Sequence, residues 1–288
     1  VEALGGDMYF AGPTTSAFAR LYGGQVAAQC LLAAAQTVDR ARVAHSIHTS
    51  FLRGGDNSKP VAYRVDRQRE SKSMSTRAVT AEQDGRVLAT ATVSFHLIPG
   101  AGTVPTPEYD CASEQSAVEA VRAPASLPTR GESLRARFGR DVPPNGAAEW
   151  PVDLRYADRA PWLAARNHHD RNPRNRVWLR APEYPRDLRG SDAAALTFAT
   201  DLPMFEPVFF PTDIAWEDVV SGTALLGASI DHSLWFHRPA RVDEWLILDL
   251  LSPIARDSRA FIRGDVRTRA GALVASVAQE VAFIAPHP

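Results

Sequence analysis

The stretch Gly23 to Val38, GGQVAAQCLLAAAQTV, has no proline, is rich in alanine and leucine, and opens on a pair of glycines. That composition predicts an α-helix. Its polar positions Gln25, Gln29 and Gln36 fall in one narrow strip, and the rest is small or apolar. A helix this apolar must be wrapped by other structure. The residues that follow supply the wrapping. His45 to Leu52, Val61 to Arg67, Ser75 to Gln83 and Val87 to Leu97 read as strands, the last two joined at Asp84-Gly85, a dipeptide suited to a tight hairpin. One buried helix followed by a meander of strands is the pattern of a sheet curled round a central helix.

From Pro99 to Pro151 the composition changes to Pro, Gly, Ala, Ser and charge, which reads as a long connection with room for short helical pieces. The first pattern then returns. Pro151 to Tyr156 and Arg176 to Arg180 read as strands, and Asp192 to Leu202 as a helix capped by Ser191 or Asp192. Four more strands are expected at Ala224 to His237, Trp245 to Leu251, Arg259 to Arg267 and Ala272 to Phe283. The repeat shows best in the hairpins: DGRVLATATVSF (Asp84 to Phe95) lies over AGALVASVAQEV (Ala270 to Val281) without a gap. The expected organisation is therefore a tandem repeat, residues 1–98 and 151–288, joined by a linker over 99–150.

Composition narrows the class. The 288 residues suffice for about two compact units. At 45% hydrophobic and 23% charged, a mainly disordered chain is excluded, and since runs such as Val26 to Ala35 fall short of the ~18 to 20 apolar residues a bilayer requires, no transmembrane helix is expected. A formal net charge of −1 gives no electrostatic case for a nucleic-acid or anionic-membrane partner. Cys30 and Cys111 are too few for a disulfide framework, so a reducing, cytoplasmic setting is expected. No secretory leader pattern opens the chain, and no peroxisomal address closes it.

In the last strand Leu273, Ala275, Val277, Gln279, Val281 and Phe283 share one face, and Gln279 is its only hydrogen-bonding side chain. A buried amide costs on the order of 1 to 3 kcal/mol unless it finds partners. Two candidates stand out: Asp231, an acid embedded in the apolar stretch LLGASIDHSLWF, and Ser252, which closes WLILDLL before Pro253. A carboxylate, a hydroxyl and an amide from three strands can hold and polarise a water. Gly23-Gly24-Gln25, at a helix start, offers free backbone N–H groups and the positive end of the helix dipole, which suits an oxyanion or a thioester carbonyl. His45 and His48 fall on opposite faces of a strand, and the cluster His168-His169-Asp170 sits in a polar loop, so no metal site is expected. Neither a G-x-S-x-G elbow nor a Walker A loop occurs.

Four segments, RLYGGQVAAQCLLAA (Arg20 to Ala34), HSIHTSFLRGGD (His45 to Asp56), SIDHSLWFHRP (Ser229 to Pro239) and VASVAQE (Val274 to Glu280), resemble the acyl-CoA thioesterase II family of double-hotdog thioesterases. The resemblance implies an α+β fold, two tandem curved antiparallel sheets each around a central helix. It implies hydrolysis of acyl-CoA to free acid and CoA in fatty acid metabolism, without a cofactor. It implies further an Asp, a Ser or Thr and a Gln at the active site of the second hotdog. Carried over by motif these are Asp231, Ser252 and Gln279, with Gly24 and Gln25 as the oxyanion donors inferred above. Homo-oligomers, dimers or higher, are usual in the resemblance. Two other readings remain at this stage: a noncatalytic acyl-CoA-binding module, and a hotdog enoyl-CoA hydratase, which requires an Asp and a His as an acid/base pair.

Overall fold

The structure is a computed structural model and describes residues 1–14, 20–97, 109–110, 118, 121–142, 150–164, 172–221 and 226–284. The expected helix forms as α1 (Gly23–Ala35), and nine of its thirteen residues are buried. The less buried positions, Gly23, Gln25, Gln29 and Leu32, with Gln36 just past the helix end, follow the polar strip. One of them is used: Gln29 Oε1 accepts a 2.5 Å hydrogen bond from the Tyr63 hydroxyl.

Six strands wrap α1: β1 (Glu2–Gly5), β2 (Met8–Ala11), β3 (Arg42–Phe51), β4 (Val61–Glu70), β5 (Met74–Gln83) and β6 (Arg86–Leu97). The β5–β6 hairpin turns at Asp84 and Gly85, both at positive φ (50° and 73°), which is why Asp-Gly fits there. The second half repeats the plan. Its strands are β7 (Asp153–Tyr156), β8 (Arg174–Arg180), β9 (Leu226–Ser229), β10 (Asp231–Phe236), β11 (Leu246–Arg256), β12 (Arg259–Thr268) and β13 (Leu273–Ile284). Its central helix is α3 (Ser191–Asp201), preceded in the chain by the short α2 (Arg130–Phe138) and followed by α4 (Trp216–Val220).

All thirteen strands form one sheet, ordered β1-β2-β4-β5-β6-β3-β10-β13-β12-β11-β8-β7, with β9 attached to β13. The second half of that order mirrors the first, so the molecule is a double hotdog. The halves meet edge to edge where β3 pairs antiparallel with β10. Inside, α1 and α3 pack together antiparallel: the Gly24 end of α1 meets Asp201, and its Ala35 end meets Arg189 and Gly190.

Two expectations are corrected by this arrangement. Neither Ser191 nor Asp192 caps α3: the cap is Gly190, left-handed at φ 78°, where an added Cβ would lie 3.1 Å from Ala35 Cβ and Leu31 Cδ2. Close approach of the two helices selects glycine over a side-chain cap. The single strand expected over Ala224 to His237 is two strands, because the register against β13 slips by one residue between Ser229 and Ser233. The stretch read as a connection with short helical pieces holds one such piece, α2, whose capping box joins Thr129 and Glu132 and whose Leu134 is buried in the main core. His168-His169-Asp170 and Cys111 lie outside the described residues.

After α3 the chain tightens into a 3-10 helix over Leu202–Phe209 that carries Glu206 into the core. Burial pushes the Glu206 carboxyl up to about 8, although the Tyr156 hydroxyl donates to it at 2.5 Å. A carboxyl raised in the folded state stabilises while protonated, and that contribution is lost as pH rises from the ordinary carboxylate range through about 8. The melting temperature should therefore fall over that window, and Glu206→Gln should flatten the fall. An unchanged pH slope in thermal melts of the variant would refute this.

Candidate active site

The two helix ends that meet between the hotdogs build the site. Asp201 is the last residue of α3, 4% exposed, and Pro203 stops the α-helix just beyond it. A carboxylate there opposes the negative end of its own helix dipole. The start of α1 compensates: Gly24 N–H donates to Asp201 Oδ2 at 2.7 Å. Space is tight at both positions of the pair and tightest at Gly24. An added Cβ on Gly23 would stand 3.2 Å from Asp201 Oδ2, and one on Gly24 only 2.6 Å from the Tyr22 ring.

Tyr22 is held by its own bonds, donating to Phe198 O at 2.8 Å and accepting from Leu202 N–H at 2.9 Å. Its ring meets Trp150 and Phe198 edge-on. Burial, then the neighbouring Asp201 carboxylate, push the Tyr22 phenol well above its ordinary value, so it stays protonated. Burial likewise raises Asp201, opposed by His232, by the Gly24 N–H and by the hydroxyls of Tyr22 and Ser229.

A further hydroxyl reaches this carboxylate, and a buried amide stands behind it. Ser229, the last residue of β9, lies opposite Val281 and directs its hydroxyl to Asp201 Oδ1 at 3.5 Å. Gln279, fully buried on the inner face of β13, donates from Nε2 to Ser229 Oγ at 2.8 Å. His232, also fully buried, bonds through Nε2 to Thr200 Oγ1 at 3.1 Å, and burial depresses its imidazole. The result is a chain of amide, hydroxyl and carboxylate beside a helix N-terminus. Such a set can orient a water and take its proton while backbone donors polarise a carbonyl.

Gln279 is thus brought to a hydroxyl and a carboxylate, but not to Ser252 or Asp231. Ser252 donates to Phe261 O at 3.1 Å from β11, two strands from Gln279, and neighbouring strands are spaced roughly 4.8 Å apart. Asp231 accepts from the Glu280 N–H at 2.7 Å, the backbone donor of a residue whose side chain alternates away from Gln279. Its carboxylate serves the ladder where the register slips. The Gly24 N–H, expected to be an open oxyanion donor, is bonded to Asp201, and Gln25 follows it half-buried.

Sequence reasoning missed Asp201 and Ser229. An acid in the last turn of an apolar helix, against the dipole, was a signal for the first. No signal marked the second, since the one-residue slip reverses which side chains face inward. Among the described residues no group of His, Cys, Asp and Glu could hold a metal ion, and no helix is long and apolar enough to cross a membrane.

Comparison with known proteins identifies the family. Residues 10–96 match the model of the acyl-CoA thioesterase N-terminal domain, and residues 119–283 that of the acyl-CoA thioesterase C-terminal domain. The chain is 30% identical over 271 residues to human acyl-coenzyme A thioesterase 8, covering 91% of this chain and 79% of that one. It is 28% identical to acyl-CoA thioesterase 2 of Haemophilus influenzae, covering 95% and 91%. An acyl-CoA thioesterase II structure from Mycobacterium marinum superposes over 100% of this chain and 96% of its own, with a TM-score of 0.70 at 29% identity. With both domain models matched in order along one double-hotdog polypeptide, the chain belongs to the acyl-CoA thioesterase family.

Proposed function

We propose that this acyl-CoA thioesterase hydrolyses its substrate with a water held by Asp201, Ser229 and Gln279, and that the start of α1 receives the thioester carbonyl. The observation that carries the reading is the bonded series Gln279 Nε2 to Ser229 Oγ to Asp201 Oδ1, ending on the carboxylate that also accepts from Gly24 N–H. Asp201 takes a proton from the water as its oxygen bonds to the carbonyl carbon. The C–S bond then breaks and the CoA thiolate leaves, to be protonated. The N–H group of Gln25, next to the Gly24 N–H that Asp201 holds, stabilises the developing oxyanion, an effect worth roughly 3 kcal/mol per donor in other enzymes. Burial makes Asp201 more basic than an ordinary carboxylate, which suits a general base.

The test is thiol release from acyl-CoA esters ranging from acetyl to palmitoyl, followed against pH for wild type and Ser229→Ala. Turnover requires ionised Asp201, so kcat should fall on the acid side with a midpoint above the ordinary carboxylate value of 3.8. Ser229→Ala should lower kcat by about 10²-fold. Hydrolysis of no ester alongside tight acyl-CoA binding would favour a binding module, and full activity in Ser229→Ala would remove the hydroxyl from the mechanism.

A further inference from the structure

Three buried polar atoms on β3, β10 and β13 have no partner among the described residues: Thr49 Oγ1, whose residue stands opposite His232, and, beside the proposed site, His232 Nδ1 and Gln279 Oε1 of the other two strands. His232 and Gln279 are both 0% exposed. An unmet buried acceptor or donor costs about 1 to 3 kcal/mol, so two such atoms on neighbouring strands call for an explanation. The register that pairs Ser233 with Ala278 and Leu234 with Val277 continues to set His232 across from Gln279 on the inner face. Directly opposite residues there bring their Cβ atoms within about 5 Å.

The rest of the neighbourhood fixes what each atom can do. Gln279 Nε2 is committed to Ser229, which leaves Oε1 as an acceptor. His232 Nε2 faces the Thr200 hydroxyl at 3.1 Å. That hydroxyl also reaches Leu196 O at 2.9 Å and Thr197 O at 3.4 Å, and the Thr197 backbone faces the imidazole as well, but a helix carbonyl already has its backbone N–H four residues on. Thr200 can therefore turn its proton to His232 Nε2 at little cost. The imidazole then carries its proton on Nδ1, opposite Gln279 Oε1. Both unmet atoms are satisfied by one hydrogen bond.

We propose that His232 is a positioning residue for the reaction, donating from Nδ1 to Gln279 Oε1 so that the amide keeps its NH2 group on Ser229. This rests on the Asp201–Ser229–Gln279 reading above. Every hydrogen bond in the series then runs one way, from Thr200 to His232, Gln279, Ser229 and finally Asp201. A flipped Gln279 would present its carbonyl oxygen to Ser229 and draw the serine proton away from Asp201. His232 forbids the flip, because the amide NH2 would then meet the Nδ1 proton. Contacts of this kind are commonly long in a free enzyme and tighten with substrate bound.

The test compares His232→Leu, His232→Asn and Thr200→Val in steady-state hydrolysis of the best acyl-CoA ester, after circular dichroism confirms folding. Leucine removes the donor, whereas asparagine sets an amide N–H near the place of Nδ1. The expected result for His232→Leu is kcat down about 30-fold with KM changed less than about threefold. His232→Asn should recover to within about fivefold of wild type, and Thr200→Val should lose about fivefold. In a Gln279→Ala background His232→Leu should cost less than about twofold more, since the group it orients is gone. Wild-type kcat in His232→Leu, an Asn variant no better than Leu, or an undiminished loss in the Gln279→Ala background would each overturn the proposal. Should His232→Leu not fold, wild-type kcat in Thr200→Val together with an unrescued Asn variant would overturn it. Failure of the underlying reading is separate, since that shows as activity retained by Asp201→Asn.

Discussion

Asp201→Asn is expected to lower kcat for acyl-CoA hydrolysis by about 10³-fold, within the range for removing a general base, while acyl-CoA still binds. Asparagine keeps the shape and can still accept from Gly24 N–H, but it cannot take a proton from water. The same substitution should raise the melting temperature near neutral pH. Burial holds the Asp201 pKa above its unfolded value, so ionisation costs more in the folded chain than in the unfolded one. Stability therefore declines as pH rises from the ordinary carboxylate range through the raised value, and a neutral amide escapes the decline. Thiol-release kinetics and thermal melts on one preparation check both halves. An active Asp201→Asn variant, or one that is inactive only because it is unfolded, would sink the assignment.

Gly24→Ala should show the next largest effect, a loss of about 10²-fold in kcat together with about 2 kcal/mol of stability. The new methyl would stand 2.6 to 2.7 Å from three atoms of Tyr22. That ring cannot swing away cheaply, because its hydroxyl is bonded to Phe198 O and Leu202 N–H and its faces and edges meet Trp150 and Phe198. Relief must come from a shift of the α1 start, which moves the N–H that Asp201 accepts. Chemical denaturation and steady-state kinetics of Gly24→Ala would measure the two effects. Wild-type values for both would mean that the helix start is not tightly held.

The architecture was legible because it rests on local signals. The alanine-rich α1, the Asp84-Gly85 turn and the gapless likeness of the two hairpins each follow from a few adjacent residues. Gln279 was legible too, since strict alternation in β13 leaves it alone on a buried face. Its partners were not. Alternation carried through Ser229 to His232 misassigns faces, because the register slips by one residue there. Asp231 therefore drew attention as an embedded acid, although its carboxylate satisfies the Glu280 N–H. Asp201 lies 177 residues from the glycine whose N–H it accepts, a pairing that only the packing of the two helices creates. Local patterns determine elements, whereas the site depends on how helix ends meet.

The antiparallel pair α1 and α3 has a second end, related to the first by the repeat. There Arg189 donates to the Ala35 and Val38 carbonyls that close α1, and Gly190 packs against Ala35 and Leu31. In the hairpin that answers β12–β13, the counterpart of Gln279 is Val93, fully buried and apolar. Two identical hotdogs associating as separate chains would have to build both ends alike, each a compromise between reactivity and cohesion. Fusion into one polypeptide removes that obligation. One end can carry a costly buried acid while the other clamps the helices with an arginine, and on the proposed reading the described residues hold one reacting centre for the pair of hotdogs.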